Sequence, residues 1–416
     1  MAGVVSGDEP IVIRLWRRGT FSAFRVVPFR WLLAGRLTTF MAWQIGSLAQ
    51  NWLVYTISGS ALTLGWVNAG WSLATVIFSL AGGITADRVD KRRLMLLGQA
   101  GLGIMPATVA VLALLGLVPV WVLALNSLVL GLLFSFIQPA RDSYTTELIG
   151  PRALLNAMAL GTMGMALMGI ISSTLGGVLV DRLGAAVAFF IVTGLYASAF
   201  FLLLRLPSSN RAPASALSVR GEFVAGIRYV ATQPILLAIL GVELGRVLFL
   251  LPYQTFLPVF AADVFQRGAV GLGAMLAASS LGGVLGSLLV ASLGDYRHKG
   301  WLLLTSGACS ALMLLFFAHA SLFLSALAFL LLLSMANNAY MVTRSALLQT
   351  TATPEMRGRI VGFWRLVWGM APLGTLPAGA IADRWGAPLT VSGQALISLA
   401  IFGGLVLAVP RLRRLE

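Results

Sequence analysis

Long apolar runs separated by short polar breaks dominate the chain. Each run is close to or above the roughly 20 residues a helix needs to cross the hydrocarbon core of a bilayer. The pattern predicts spans over 31–57, 61–84, 94–116, 119–141, 155–180 and 185–205, then 234–263, 270–293, 301–318, 321–343, 360–382 and 388–409. The longest polar break, Pro207 to Pro234, divides six spans from six. Its first part, 207–216, is rich in Ser, Pro and Ala and reads as linker. The stretch 219–230 has helical apolar spacing and is expected to lie on the membrane surface. The predicted organisation is a basic leader (1–30), a six-helix bundle (31–206), a central loop (207–233), a second six-helix bundle (234–409) and a short tail (410–416). The expected fold class is therefore all-α and membrane-spanning, with twelve transmembrane helices.

The two bundles are related. Span 5 ends Gly177-Val-Leu-Val-Asp181-Arg182-Leu-Gly184-Ala185, and span 11 ends Gly379-Ala-Ile-Ala-Asp383-Arg384-Trp-Gly386-Ala387, an offset of 202. Arg141 and Pro151 match Arg344 and Pro354 at 203, and Asp87 matches Asp295 at 208. Such ordered matches mark a duplication, and pseudo-symmetric six-span halves around a midplane cavity are an architecture of secondary transporters.

Composition agrees with burial in lipid: 58% of residues are hydrophobic, only 10% are charged, and the mean hydropathy is +0.91. A soluble chain carries roughly 25% charged residues. The net charge of +15 rests on 27 Arg and 2 Lys, nearly all between apolar runs and not on one face. It reads as a topology signal and gives no reason to expect a nucleic-acid partner. With the N-terminus in the cytoplasm, 23 basic residues fall on the cytoplasmic side and three (Arg182, Arg267, Arg384) on the other, while Arg36, Arg246 and Arg365 lie within spans. Both termini are thus expected in the cytoplasm of a bacterial inner membrane. Arg14, Arg17, Arg18 and Arg25 interrupt the leader, which is expected to be an interfacial segment or a disordered basic arm, with no cleavable signal peptide. The lone Cys309 permits no internal disulfide, and His298 and His319 have no partner at ligand spacing, so no metal is expected.

Between spans 2 and 3 runs Gly83-Ile-Thr-Ala-Asp87-Arg88-Val-Asp90-Lys91-Arg92-Arg93. It resembles the signature loop of the major facilitator superfamily. Gly35-Arg36, the stretch Ser58 to Gly65, Pro139-Ala-Arg141 and Met356-Arg-Gly-Arg359 extend the likeness over about residues 28–409. They resemble the bacterial efflux branch that includes enterobactin-exporter-like and macrolide-efflux proteins. Physically, Gly83 is expected to let two helices approach. Asp87 is expected to face the partially positive N-terminus of span 11, with Arg88 and Arg92 pairing with it or with acids across the seam. This would latch the cytoplasmic side shut; plain topogenic charge on a tight turn is the alternative. Asp295 and Arg297 are the second-half counterparts. Glycines crowd spans 5, 8 and 11, as close helix packing requires.

Ionisable residues at membrane depth are costly and suspect as functional. Glu243 and Arg246 in span 7 form either a structural i,i+3 pair or a proton-coupling site, with Glu243 alternatively meeting a cationic substrate. Arg36 and Arg365 lie near cytoplasmic ends and are expected to snorkel. The resemblance implies a cavity lined by spans 1, 4, 7 and 10. The polar candidates there are Gln44, Gln50, Asn51, Asn126, Tyr253, Gln254, Asn337, Asn338 and Tyr340, with Trp364 and Trp368 of span 11 as aromatic wall. As a set they suggest a mostly apolar pocket for a small lipophilic or amphiphilic compound. Two departures from related exporters count against antiport through the usual residues. Phe40-Met-Ala-Trp43-Gln44 carries no acid, and Ser172-Ser173 replaces a Gly-Pro pair. Glu243 is left as the main coupling candidate.

No phosphate-cradling loop is present, because the two lysines stand outside any such context, so the energy source is expected to be a proton gradient with no cofactor. No nucleophile–base pair suggests an enzyme. The expected function is a rocker-switch secondary transporter acting as a monomer on a small molecule by proton antiport. Import, uniport of a metabolite or a non-transporting sensor are the other readings.

Overall fold

A computed structural model describes residues 22–209, 232–294, 296–351 and 367–408. The described residues are almost entirely helical. The leader up to residue 21, the predicted surface helix, Asp295, Trp364 and Arg365 lie outside them, as does the side chain of Asp87.

The twelve helical segments are α1 (Val27–Ser58), α2 (Ala61–Arg88) and α3 (Lys91–Leu114), followed by one continuous stretch, Val120–Leu204. Gly150 (φ 67°) and Gly184 (φ 81°) break that stretch into α4 (120–149), α5 (151–183) and α6 (185–204). Only glycine adopts such angles freely, and each marks a reversal of direction. The second half holds α7 (234–264), α8 (Gly268–Ser292), α9 (Lys299–Ala318), α10 (Phe323–Thr351), α11 (Ala371–Trp385) and α12 (Ala387–Ala408). Among the described residues, nine helical stretches are long and apolar enough to cross a membrane, one of them the 52-residue Ala153–Leu204 with its turn at Gly184. The polar α1 and the 15 described residues of α11 complete the twelve. Leu97, Leu155 and Leu324 are each more than 70% exposed and face outward, as lipid contact requires.

Two expected boundaries move. α4 continues past Arg141 to Gly150, and α10 past Arg344 to Thr351. Both arginines therefore lie on helices and are buried (2% and 3% exposed), whereas the charge pattern placed them in loops. The helices extend about two turns beyond their apolar runs, so the side chains turn into their bundles.

Helix α7 is irregular. π turns occupy Arg246–Leu250 and Phe260–Val264, with Pro252 and Pro258 nearby. Proline lacks the N–H of the regular ladder, and wider turns absorb the fault.

The bundles meet unequally. On the half of the molecule away from the described chain ends, one core joins both: Val54, Leu64 and Phe189 pack in the same cluster as Phe256, Leu272 and Ala378. On the half nearer the ends, the described residues form separate cores: Leu32, Met95 and Tyr144 in the first bundle, and Leu236, Leu303 and Phe402 in the second. The contacts between bundles follow the same division. α5 meets α8 at Gly177 and Gly273, where a Cβ on either would lie 2.9 Å from the other's Cα. α11 meets α2 at Gly379, where a Cβ would lie 2.7 Å from the Cα of Leu62. Asp383 closes this face: Oδ1 accepts from the Ala61 amide (2.6 Å), and Oδ2 from Ser60 Oγ (2.7 Å) and the Leu62 amide (3.3 Å). A carboxylate from one bundle thus caps the N-terminus of a helix in the other. Asp181, its repeat mate, lies beside Gly268 at the start of α8. Tyr55 Oη donates to Asp263 across the same face (2.5 Å).

Candidate functional site

A cavity of about 490 Å³ lies between the bundles. Expected residues Gln44, Gln50 and Asn51 of α1, Asn126 of α4, Tyr253 and Gln254 of α7, and Asn337 and Asn338 of α10 all line it. The lining is mostly apolar in area, as expected, and polar groups are set into it. Among the described residues, eight side-chain amides and seven hydroxyl-bearing Ser or Thr residues face the space, and no charged residue does. α2 and α8, which the resemblance did not single out, add Asn68, Trp71 and Ser72, and Ser279 and Ser280. The spacing Asn68-x-x-Trp71-Ser72 puts these three on one helical face, a signal open to sequence reading.

The first bundle ties many of its amides together. Asn126 Nδ2 donates to Gln50 Oε1 (2.5 Å), Gln50 Nε2 to Ser127 Oγ (2.7 Å), and Asn68 Nδ2 to Asn51 Oδ1 (2.7 Å). Gln44 Nε2 donates to Ser173 Oγ (3.2 Å), one of the two serines that stand where Gly-Pro was expected. Trp43 and Trp71 form an aromatic wall with centroids 5.9 Å apart, continued by Phe134 5.1 Å from Trp71.

Beside the cavity, buried within the second bundle, is an ion cluster. Glu243 is 0% exposed and does not line the cavity. Its Oε1 meets Arg246 Nη2 (2.7 Å) and Arg344 Nη1 (2.6 Å) and accepts from Trp368 Nε1 (3.0 Å). Its Oε2 accepts from Arg246 Nε (3.1 Å). The i,i+3 pair read from the sequence is present, and Arg344 joins it from α10, 101 positions further on. One acid thus holds two guanidinium groups in a site closed to water, where each charge needs its partner. Tyr340 and Trp368 belong to this cluster and not to the cavity wall: Arg246 lies over their rings at 5.1 and 5.7 Å. The charge they cover explains their inward position. Arg246 Nη1 also donates to Asn337 Oδ1 (2.7 Å), so Asn337 touches both cluster and cavity.

The loop between α2 and α3 is held by its own bundle. Asp90 caps α3 through the Arg93 amide (3.0 Å), Lys91 Nζ pairs with Glu147 (3.2 Å), and Arg92 Nη2 donates to the Leu204 carbonyl (2.7 Å). Arg92 therefore does not reach across the seam as expected, because the end of α6 lies closer. Arg88 and Arg297 are exposed. Gly83 is not the close approach either: a Cβ there would meet nothing within 4 Å, whereas one on Gly82 would run into the Ser135 carbonyl of α4.

Two repeated six-helix bundles, joined at one face around a central polar cavity, define a transporter of the major facilitator superfamily. The family model described as transmembrane secretion effector matches residues 18–416, and the chain belongs to that family. It is 26% identical to the multidrug efflux pump Tap of Mycolicibacterium fortuitum over 94% of this chain and 97% of that protein. It is 26% identical to the enterobactin exporter EntS of Salmonella typhi over 90% of this chain and 85% of that one. Among solved structures, a bacterial homologue of the lysosomal transporter Spinster, inward-facing and occupied, has a TM-score of 0.74 at 13% identity, covering 94% of this chain and 98% of that one. The nucleoside transporter NupG has a TM-score of 0.70 at 16% identity, covering 91% and 98%. These likenesses show the fold. The chain is a multi-pass membrane transporter and not an enzyme.

Proposed function

We propose that this transporter exports a small lipophilic or amphiphilic molecule across the bacterial inner membrane by rocker-switch exchange, driven by proton antiport. The central cavity carries the reading, and the relatives named for efflux support its direction. The basic residues concentrate at the ends of the chain and in the loops on the same side, so that face is the cytoplasmic one. In this reading the face held by Asp383 and by the Gly177–Gly273 approach is the one away from the cytoplasm. In the outward-facing state Asp87 and Arg88 latch the cytoplasmic face; transport at the wild-type rate in Asp87→Asn would count against that role.

The Glu243–Arg246–Arg344 cluster is the coupling site of this proposal. A proton on Glu243 removes the one negative charge between two arginines and frees Arg246 to shift against Asn337, and through it the cavity. The test is exclusion of a panel of lipophilic dyes from cells producing the chain, with and without a protonophore. Energy-dependent exclusion abolished by the protonophore supports the reading. Identical dye content in producing and non-producing cells for every dye, with the protein in the membrane, sinks it.

A further inference from the structure

Charge is kept out of the cavity although charges stand close by. Among the described residues no Asp, Glu, Lys, Arg or His lines the space, and Glu243 is ion-paired with Arg246 and Arg344 behind its wall. A charged ligand entering this cavity would lose its hydration with no countercharge to meet it, a cost that neutral polar groups offset only in part. An uncharged ligand avoids that cost.

The cavity also has a direction. Asn337 Oδ1 accepts from Arg246 Nη1 at 2.7 Å. A guanidinium has donors and no acceptor, so this contact fixes the amide with its oxygen toward Arg246 and its NH₂ group away from it. Asn338 Oδ1 lies 2.9 Å from Ser287 Oγ, whose single proton is shared with the Gly283 carbonyl at 3.1 Å, and its Nδ2 stands 3.5 Å from where a Cβ on cavity-lining Gly283 would sit. Asn337 therefore offers an N–H donor whose oxygen is already engaged, and Asn338 sets a second amide beside it. Trp43 and Trp71 of the first bundle line the same space as a tilted pair at 5.9 Å. Amide donors from one bundle and indole rings from the other suit an acceptor and a flat ring in one molecule.

We infer that the cavity takes an uncharged aromatic compound that sets a carbonyl oxygen against the Asn337 and Asn338 amides and its ring against Trp43 and Trp71. This deepens the export reading and rests on the central cavity being the substrate site. Asn337 then reports occupancy to Arg246, so the residue that reads the carbonyl is also the one that touches the ion cluster.

Nile red and Nile blue make a suitable pair of probes. They share a fused ring system, but one carries a neutral ring carbonyl where the other carries a cationic iminium. Binding to the purified full-length protein in nanodiscs is read as quenching of tryptophan fluorescence. The Trp43→Phe/Trp71→Phe variant separates cavity-bound dye from dye in lipid. The expected result is saturable Nile red binding, Nile blue at least about tenfold weaker, and a rise of at least about tenfold in the Nile red Kd in Asn337→Leu. Asn338→Leu leaves Arg246 its partner and is expected to weaken Nile red binding in the same direction. It keeps the test readable if Asn337→Leu does not fold. Equal affinity for the two dyes, no saturable binding of Nile red, or unchanged Nile red affinity in the Asn338 variant would overturn the inference. Selective Nile red binding without energy-dependent export would uphold it while removing the export reading. Export of cationic dyes in preference to neutral ones would do the reverse.

Discussion

The two bundles carry the same arginines in different company. Arg344 in α10 and Arg141 in α4 are repeat mates at an offset of 203, and both are buried. Gly245-Arg246 and Gly35-Arg36 match likewise at 210. In the second bundle Glu243 binds both arginines, at 2.6 and 2.7 Å. In the first, Arg36 pairs at 3.6 Å with Asp142, an acid on a different helix, while Nε and Nη2 of Arg141 have no hydrogen-bond partner among the described residues. The residue 210 positions before Glu243 is Leu33. Duplication supplied two equivalent frames, and only one gained an acid between its arginines. That asymmetry is the reason for placing coupling in the second bundle.

The comparison gives a graded set of expectations. Glu243→Gln leaves two buried guanidinium groups without their acid and should destabilise the protein by about 3–5 kcal/mol, visible as a large fall in melting temperature in detergent. A melting curve like wild type would show that the cluster is not the closed ion pair described. Arg344→Met should cost less, because Arg246 still neutralises Glu243. Its mate Arg141→Met removes a buried group that lacks full pairing, so stability should be unchanged or higher by about 1 kcal/mol. Equal losses in the two methionine variants would erase the distinction between the bundles. A comparably small effect is expected at the closed face. Asp383→Asn loses a charged helix cap worth about 1 kcal/mol and should make this face more accessible to thiol reagents at a cysteine introduced at Ser60. No gain in labelling would mean that Asp383 does not hold the face shut.

Much of the fold was legible because a bilayer leaves the chain few options. Runs of about 20 apolar residues must be helices, and the repeat fixes their grouping. Glu243 and Arg246 were legible because three-residue spacing on a helix is local. Arg344 was not. A basic residue at the end of an apolar run looks the same whether it reaches for headgroups or turns into a bundle, and its partner is 101 positions away in sequence. Gly82 and Gly83 are alike on paper, and only the facing helix decides which one the Ser135 carbonyl crowds. Tyr340 and Trp368 were assigned to the cavity on residue type, whereas the buried charge of Arg246 decides where their rings lie. The cavity's amides on α1, α4, α7 and α10 were found. Asn68 on α2 falls outside an expectation confined to spans 1, 4, 7 and 10.

Dye movement in proteoliposomes addresses the central claim, that the acid between two arginines in the second bundle couples the cavity to the proton gradient. The variant to compare with wild type is Glu243→Gln/Arg344→Met, which removes the acid together with one of its two guanidinium partners. The account predicts that this variant still exchanges dye down its concentration gradient at a rate close to wild type, yet fails to accumulate dye when a pH gradient is imposed. Accumulation at the wild-type level in the variant would contradict the claim and move coupling away from Glu243.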